Sequence, residues 1–262
     1  MQVSRTSALG AGLDRRRCEH DERAGRIAAL TLLVLLDAPD AVGGVVELVR
    51  QVAPATPTNA IIVIPSSGTA DRHDSSATLS LVTLGAFGQV ATCVEDVVLR
   101  IDGVRDPGDV DTAVVGWILD TFARPGLPIV TWMPGRLPAA DHPAVTVAER
   151  ILVDSHVLDA AASPADRPGI LPALLSLGRS RTVVDLAWVR LEPWRRLTAG
   201  WLLGDDRLRA VTGRHIAEIT VDVEGEPVTA TLLAGWLAGG LASEPDRHRV
   251  TVRSRNAGRT RL

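Results

Sequence analysis

Two uninterrupted apolar runs separated by one amphipathic stretch constrain this chain more than any other feature of its sequence. Ala29 to Leu36 is apolar except for Thr31 and is ended by Asp37 and Pro39. A strand that faces solvent on one side alternates polar and apolar residues, so this run reads as a strand buried on both faces. Asp40 can cap a helix over Ala41–Gln51, in which Val42, Val45, Val46 and Val49 fall on one stripe. Pro54 and Pro57 close that helix, and Ala60–Ile64 is a second buried strand stopped by Pro65. Strand–helix–strand units of this kind place their strands parallel with a right-handed crossover.

The pattern continues in the same style as far as residue 135. Ser66–Thr78 is rich in Ser, Asp, Gly and Thr and reads as an exposed loop. Leu79–Leu84 and Val90–Cys93 read as strands, paired as a hairpin across Gly85–Gly88, and Val97–Ile101 as another strand. Asp109 starts a helix whose expected apolar face is Val110, Ala113, Val114, Trp117 and Ile118, and Pro128–Trp132 is a short buried strand. Beyond this point helices are expected at Pro143–Leu152, at Ile170–Leu177 and from Glu192-Pro193 on, where Trp194, Leu197 and Trp201 align. Ile216–Val223 reads as a half-buried strand, Thr229–Leu241 as an apolar helix and His248–Arg253 as a final strand. The expected class is a layered α/β N-terminal domain with a mostly parallel or mixed sheet, followed by a smaller α+β C-terminal lobe. The expected bounds are a poorly ordered charged leader over 1–26, the α/β domain over 27–138, the α+β lobe over 139–254 and a basic tail over 255–262.

Charge distribution narrows the function classes. The chain of 262 residues carries a net charge of −3, but its ends are basic. Residues 27–246 hold 16 Arg against 27 acids, a net of about −11. Such a body repels a phosphate backbone and an anionic membrane surface alike, so neither nucleic acid nor membrane is expected as a partner. All 28 basic residues are Arg, which excludes Schiff-base, phosphate-loop-lysine and pyridoxal-phosphate chemistry. Cys18 and Cys93 show no metal or redox spacing and suit a reducing compartment. The longest apolar run, Ile27–Leu36, is far too short to span a bilayer, and a cytoplasmic location is expected.

The familiar catalytic patterns fail one by one. A dinucleotide site needs a glycine-rich turn after the first strand, where Asp37-Ala38-Pro39-Asp40 instead puts carboxylates in the place of a phosphate. There is no phosphate loop and no nucleophile elbow. Ser155 and His156 are sequence neighbours that an extended segment would point apart. The six His are scattered without the i, i+4 spacing of a helical metal site, and Asp71, His73 and Asp74 read as a solvated loop. No catalytic group, cofactor or metal is expected. What stands out is Asp185-Leu-Ala-Trp188-Val-Arg190-Leu-Glu-Pro193-Trp194-Arg195-Arg196, which is either an interaction surface, since Trp and Arg dominate binding hot spots, or Trp core packing with paired Arg. Ile129–Gly135, with Trp132 at its strand end, poses the same alternative.

These segments resemble the OpcA family, the glucose-6-phosphate dehydrogenase assembly proteins of cyanobacteria and actinobacteria. The likeness lies in the strand–helix–strand from Ala29 to Ile64, in Val97–Ile101 with the Pro-Ile-Val-Thr-Trp132-Met-Pro134 strand end, and in Asp185–Arg195. It continues in Val221–Glu226 followed by Leu232–Ala238. Asp185–Arg195 is close to the family's Asp-Leu-x-Trp-x-Arg-x-x-Pro-Trp-Arg. The chain departs from the family at Thr131, where members carry a second Trp, and at Ala53–Asn59, which lacks a His-Pro-Ser-Arg-like turn. It also stops soon after the Trp236 segment, as a divergent and C-terminally short member would. The resemblance implies a non-enzymatic partner of glucose-6-phosphate dehydrogenase that promotes its active oligomer or its substrate affinity. It implies partner-binding roles for Trp132, Pro134, Trp188, Arg190, Pro193, Trp194 and Arg195. The acidic body would then face a basic patch on the dehydrogenase. The competing readings are a sugar-phosphate or nucleotide sensor or enzyme using Arg190, Arg195 and the Ser66–Asp74 loop, and a degenerate paralogue with a changed partner.

Overall fold

A computed structural model of the chain describes residues 24–26, 28–66, 76–87, 90–102, 104, 106–204, 218–224, 227–241 and 249–255. The strands are β1 Ala24–Arg26, β2 Leu30–Leu35, β3 Thr58–Ser66, β4 Ser76–Phe87, β5 Val90–Asp102, β6 Ile129–Trp132, β7 Arg150–Val153, β8 Val183–Asp185, β9 Glu218–Glu224 and β10 Arg249–Arg255. The helices, numbered in chain order, are α1 Val42–Val52, α2 Thr112–Phe122, α3 Pro143–Thr146, α4 Ser155–Ala161, α5 Arg167–Ser180, α6 Leu186–Arg190, α7 Glu192–Gly204 and α8 Pro227–Leu241. The described residues fall into two units. One runs up to Leu152 and includes Leu177–Val183; the other comprises Val153–Ser176 and the residues from Val184 on.

The large sheet has the order β1-β5-β3-β2-β6-β7-β8, with β4 added beside β5. Strands β1, β5, β3, β2, β6 and β7 run parallel, and β4 runs antiparallel along β5. The α/β class read from the sequence is therefore what the chain adopts. The doubly apolar run of β2 has a direct cause in its pleat. Leu33 and Leu35 point to one face, where Ile61, Val63, Val97 and Leu99 join Val115, Ile118 and Phe122 of α2. Val34 and Leu36 point to the other, against Ala60, Ile62 and Val45 and Val49 of α1. Both faces are covered, so neither could tolerate polar alternation.

Three of the polar side chains admitted to this core are tied to backbone. Asn59, 1% exposed, donates from Nδ2 to the Phe122 carbonyl at 3.1 Å and anchors the end of α2 to the sheet. Thr131 is fully buried and donates from Oγ1 to the Ala144 carbonyl at 2.7 Å. Thr131 is thus a buried strut between β6 and α3, with no exposed face to offer. His142 caps α3, accepting from Ala144 N at Nδ1, while its Nε2 lies 3.0 Å from the Pro107 carbonyl.

Several sequence expectations are corrected. Asp40 caps no helix: it sits in a 3-10 turn, and α1 begins after Ala41 with no side-chain cap. The valine stripe of α1 holds, with Val45 and Val49 buried and Val42 and Val46 packed beside them. Val90–Cys93 and Val97–Ile101 are one strand, β5, because the polar pair Glu95-Asp96 between them is itself buried in the sheet. Helix α2 starts at an Asp111 cap and buries Val115, Ile118 and Phe122, so its apolar face is rotated from the expected one. The helix expected over Pro143–Leu152 is only the four-residue α3, after which the chain turns into β7. Ser155 and His156 begin a helix, α4, and do not lie in an extended segment. Three residues of the stretch read as a leader, Ala24–Arg26, form a strand. The loop over 67–75 and the basic residues beyond 255 lie outside the described residues.

In the second unit β9 and β10 pair parallel around the crossover helix α8, which packs on both strands and against α4 and α6. Among the described residues no helix is long and apolar enough to cross a membrane.

Candidate functional site

The chain's most distinctive motif builds the corner formed by α6 and α7. Asp185 stops β8 and caps α6: its Oδ1 accepts from Ala187 N at 3.0 Å. The same carboxylate accepts from Ser155 N at 3.0 Å and from Ser155 Oγ at 2.7 Å, which fastens α4 to the corner. One residue earlier in the other segment, Asp154 caps α4 by accepting from Val157 N. Asp154 also accepts two bonds from the Arg190 guanidinium, Nη1 at 2.9 Å and Nη2 at 2.6 Å. Two cap aspartates therefore cross-link two helix starts, and Arg190 at the last turn of α6 completes the brace. Burial works to raise the Asp154 carboxyl, but the Arg190 bonds, the Arg190 charge and the Val157 amide outweigh it and hold Asp154 below its ordinary value.

Trp188 is half-buried beneath this brace and acts as a platform. The Arg195 guanidinium lies 3.7 Å from its ring centroid, a cation–π contact, and Arg195 Nη2 donates to the Trp188 carbonyl at 3.3 Å. Arg195 thus holds the first turn of α7 against α6. Pro193 occupies the second position of α7, where a missing amide hydrogen costs nothing. Arg196 pairs with Glu192 at 2.6 Å along the outer side.

Beyond that scaffold the helix turns its apolar side outward. Trp194, Leu197 and Trp201 are 62%, 67% and 63% exposed. Their i, i+3, i+7 spacing puts them on a strip about 60° wide. All six Trp of the chain are described, and the other four are half-buried, so both exposed indoles stand on this one helix. The alternative left open by the sequence resolves by residue: Trp188, Arg190 and Arg195 form internal contacts, while Trp194 and its two neighbours along α7 face out. Leu197 and Trp201 carry a signal visible in the sequence, the same helical spacing, although the motif itself does not include them.

Trp132 and Pro134 belong to the first unit. Trp132 ends β6 half-buried, packed against the α1-side cluster, and its indole Nε1 has no hydrogen-bond partner. Pro134 opens the turn that passes through Gly135 at φ +76. This turn also delivers Arg136, which sequence reasoning did not single out. Arg136 reaches both oxygens of Asp106, with Nη2–Oδ2 at 2.7 Å, and lies 3.3 Å from Asp37. The Arg136 bonds, followed by the Gly108 amide, hold the Asp106 carboxyl below its usual range.

The position of this cluster matters. Chain order reverses between β2 and β6, and ligands of open parallel sheets enter at such a reversal, beyond the carboxyl ends of the strands. Asp37 follows β2, and Arg136 follows β6. The place where a dinucleotide fold receives a phosphate here holds an arginine already neutralised by two carboxylates. No sequence signal links Asp106 to Arg136 across 30 positions. Among the described residues no three His, Cys, Asp or Glu side chains gather as a metal site.

Residues 181–262 match the family of the C-terminal domain of the glucose-6-phosphate dehydrogenase subunit. Over 136 residues the chain is 28% identical to the OxPP cycle protein OpcA of Synechocystis sp., a stretch that covers 50% of this chain and 27% of that protein. Over 64 residues it is 41% identical to the OxPP cycle protein OpcA of Nostoc punctiforme, covering 24% of this chain and 13% of the relative. The matched stretches thus span about a quarter or less of these relatives' lengths. Both relatives are cyanobacterial and are named as cycle proteins without a catalytic activity. These matches bear out the resemblance to the OpcA family, and the matched C-terminal region contains the whole α6–α7 corner.

Proposed function

We propose that this OpcA-family chain is a non-catalytic partner of glucose-6-phosphate dehydrogenase in the oxidative pentose phosphate cycle, acting in the cytoplasm. It binds the dehydrogenase and favours its active oligomer or its substrate-bound state. The observation that carries the reading is an exposed two-Trp strip inside the region that matches the dehydrogenase-associated domain family. Exposed Trp is uncommon on a surface without a partner and is enriched at the centres of protein interfaces. The residues proposed to serve the complex are Trp132, Pro134, Trp188, Arg190, Pro193, Trp194 and Arg195, those of α6 and α7 in the two ways described above.

Activation by such a partner is linkage. A protein that binds the active state of the enzyme more tightly than the inactive one shifts the population by the ratio of the two affinities, typically about 5–150-fold. No bond need be made or broken by this chain. The sugar-phosphate reading is not favoured, since both terminal nitrogens of Arg190 are taken by Asp154 and Arg195 is stacked on Trp188. The test is co-purification of the chain with the dehydrogenase of the same cell, followed by enzyme kinetics with and without it. A complex that lowers KM or raises kcat supports the proposal; absence of both complex and kinetic change refutes it.

A further inference from the structure

We infer that the outer face of the β9–β10 ribbon is a self-complementary surface, and that it pairs with the same face of a second copy of this chain. The inference goes beyond the dehydrogenase reading and does not depend on it. It stands on the register of the two strands and on the charges that the register sets side by side.

The ribbon is unusual for a parallel pair. Strands of parallel sheets are ordinarily covered on both faces and run apolar throughout. Here successive positions alternate. Ile219, Val221 and Val223 of β9 are in register with Val250, Val252 and Ser254 of β10, and α8 packs on both strands. The intervening positions belong to the opposite face of the pleat. On that face Glu218 is in register with Arg249, Thr220 with Thr251, Asp222 with Arg253 and Glu224 with Arg255. Thr220 and Asp222 are exposed while Val221 between them is half-buried, which marks this as the face turned away from the helix. Every charge on β9 is thus an acid, every charge on β10 is an arginine, and the two rows stand at matching heights.

This pattern selects both the occupant and its geometry. A two-fold axis parallel to the strands, placed between two copies, lays β9 of one over β10 of the other and keeps the strand directions. Register partners share a height, so Glu218 then faces the partner's Arg249, Asp222 faces the partner's Arg253 and Glu224 faces the partner's Arg255. A two-fold axis across the strands would instead lay acids on acids. Pairing of either outer edge of the two-stranded sheet with its own copy would set acids beside acids or arginines beside arginines. Within one copy the two rows balance, three acids against three arginines, so the face carries no net charge to repel its double. Stacking surrounds each charge with opposite charges across the interface as well as beside it, and such networks hold where isolated surface pairs contribute little. A polyanion would meet the arginine row favourably and the acid row unfavourably.

The experiment measures self-association of the purified chain by sedimentation velocity, for wild type, Asp222→Arg, Arg253→Asp and the double variant that carries both. Wild type is expected to dimerise, with an affinity that falls as salt rises. Each single reversal sets like charges across the axis and is expected to weaken the dimer by about tenfold or more. An equimolar mixture of the two single variants restores the opposite-charge contacts across the axis, although not the one within each chain. The mixture is therefore expected to form a heterodimer that neither variant matches alone, an outcome that a purely structural role of the ladder does not produce. The double variant is expected to dimerise as wild type does. Melting midpoints accompany each value. If a reversed chain melts early, Thr220→Arg, at an exposed position, replaces it and is expected to weaken the dimer by adding a cation opposite the partner's arginine row. A wild-type chain that stays monomeric overturns the proposal, as does a wild-type dimer that the reversals leave within about twofold of its affinity. A mixture that forms no heterodimer overturns the two-fold arrangement.

Discussion

Asp154 and Asp96 are both carboxylates beside an arginine, and their surroundings push them in opposite directions. Asp154 receives two Arg190 hydrogen bonds and is held below its ordinary value. Its contribution to stability is complete above the unfolded carboxylate pKa of about 3.9 and is lost as pH falls through the lower, folded value. Asp154→Asn should therefore destabilise the protein at pH 7 by about 1–2 kcal/mol, through loss of the ion pair and weakening of the α4 cap. The gap in melting midpoint between wild type and variant should close as pH is lowered below about 4. Asp96 is 1% exposed, and burial raises its carboxyl despite Arg50 at 3.6 Å; neither carboxylate oxygen has a hydrogen bond. For a raised acid the favourable contribution is present in acid and lost as pH rises through the folded value. Asp96→Asn should consequently melt a few degrees above wild type at pH 7, with the gap shrinking in acid. A variant that melts lower at pH 7 would mean that the Arg50 pairing outweighs desolvation.

At the scale of elements, the caps show which parts of this fold a sequence can display. Asp185→Ala removes the acceptor of three bonds that join α4 to α6, so it should cost about 2 kcal/mol or more, beyond the loss of a single cap. Amide exchange at Ser155 and Ala187 should accelerate together; acceleration of Ala187 alone would show that the two helix starts are independent. The strands β2, β3 and β6 were legible because burial on both faces leaves uninterrupted apolar runs. Strand β7 was not, because its four residues follow Pro143 and begin with Arg150, a pattern that a short helix shares. Helix α4 was not legible in the sequence, which reads Ser155 and His156 as an extended segment; its cap, Asp154, has its partner in the corner 36 residues away. The candidate site divides in the same way. The Trp spacing of α7 is local and could be read from one helix. The buttress depends on Asp154 meeting Arg190 and Ser155 meeting Asp185, pairings that only the fold brings about. Arg136 with Asp106 and Asp37 is the same kind of pairing at the sheet's reversal point.

Across the whole molecule, charge and apolar surface divide the work of association between rate and lifetime. Residues 27–246 carry about 11 more acids than Arg, while α7 carries two exposed indoles beside an Arg196 that is paired with Glu192. A partner suited to this pattern has a basic field around an apolar cleft, so the long-range attraction and the local fit rest on different groups. Long-range attraction acts on the encounter and is screened once the Debye length falls below the separation of the charges, about 10 Å at 0.1 M salt. Desolvated Trp contacts act after docking and respond little to salt. In stopped-flow measurements of the proposed dehydrogenase complex, the association rate should fall by about tenfold or more between 20 and 500 mM NaCl, with the dissociation rate nearly constant. Trp201→Ala should do the reverse, raising the dissociation rate while keeping the salt slope of association. An association rate indifferent to salt would show that the acidic body takes no part in steering. A dissociation rate that rises steeply with salt would move the source of affinity from the indoles to the arginines beside them.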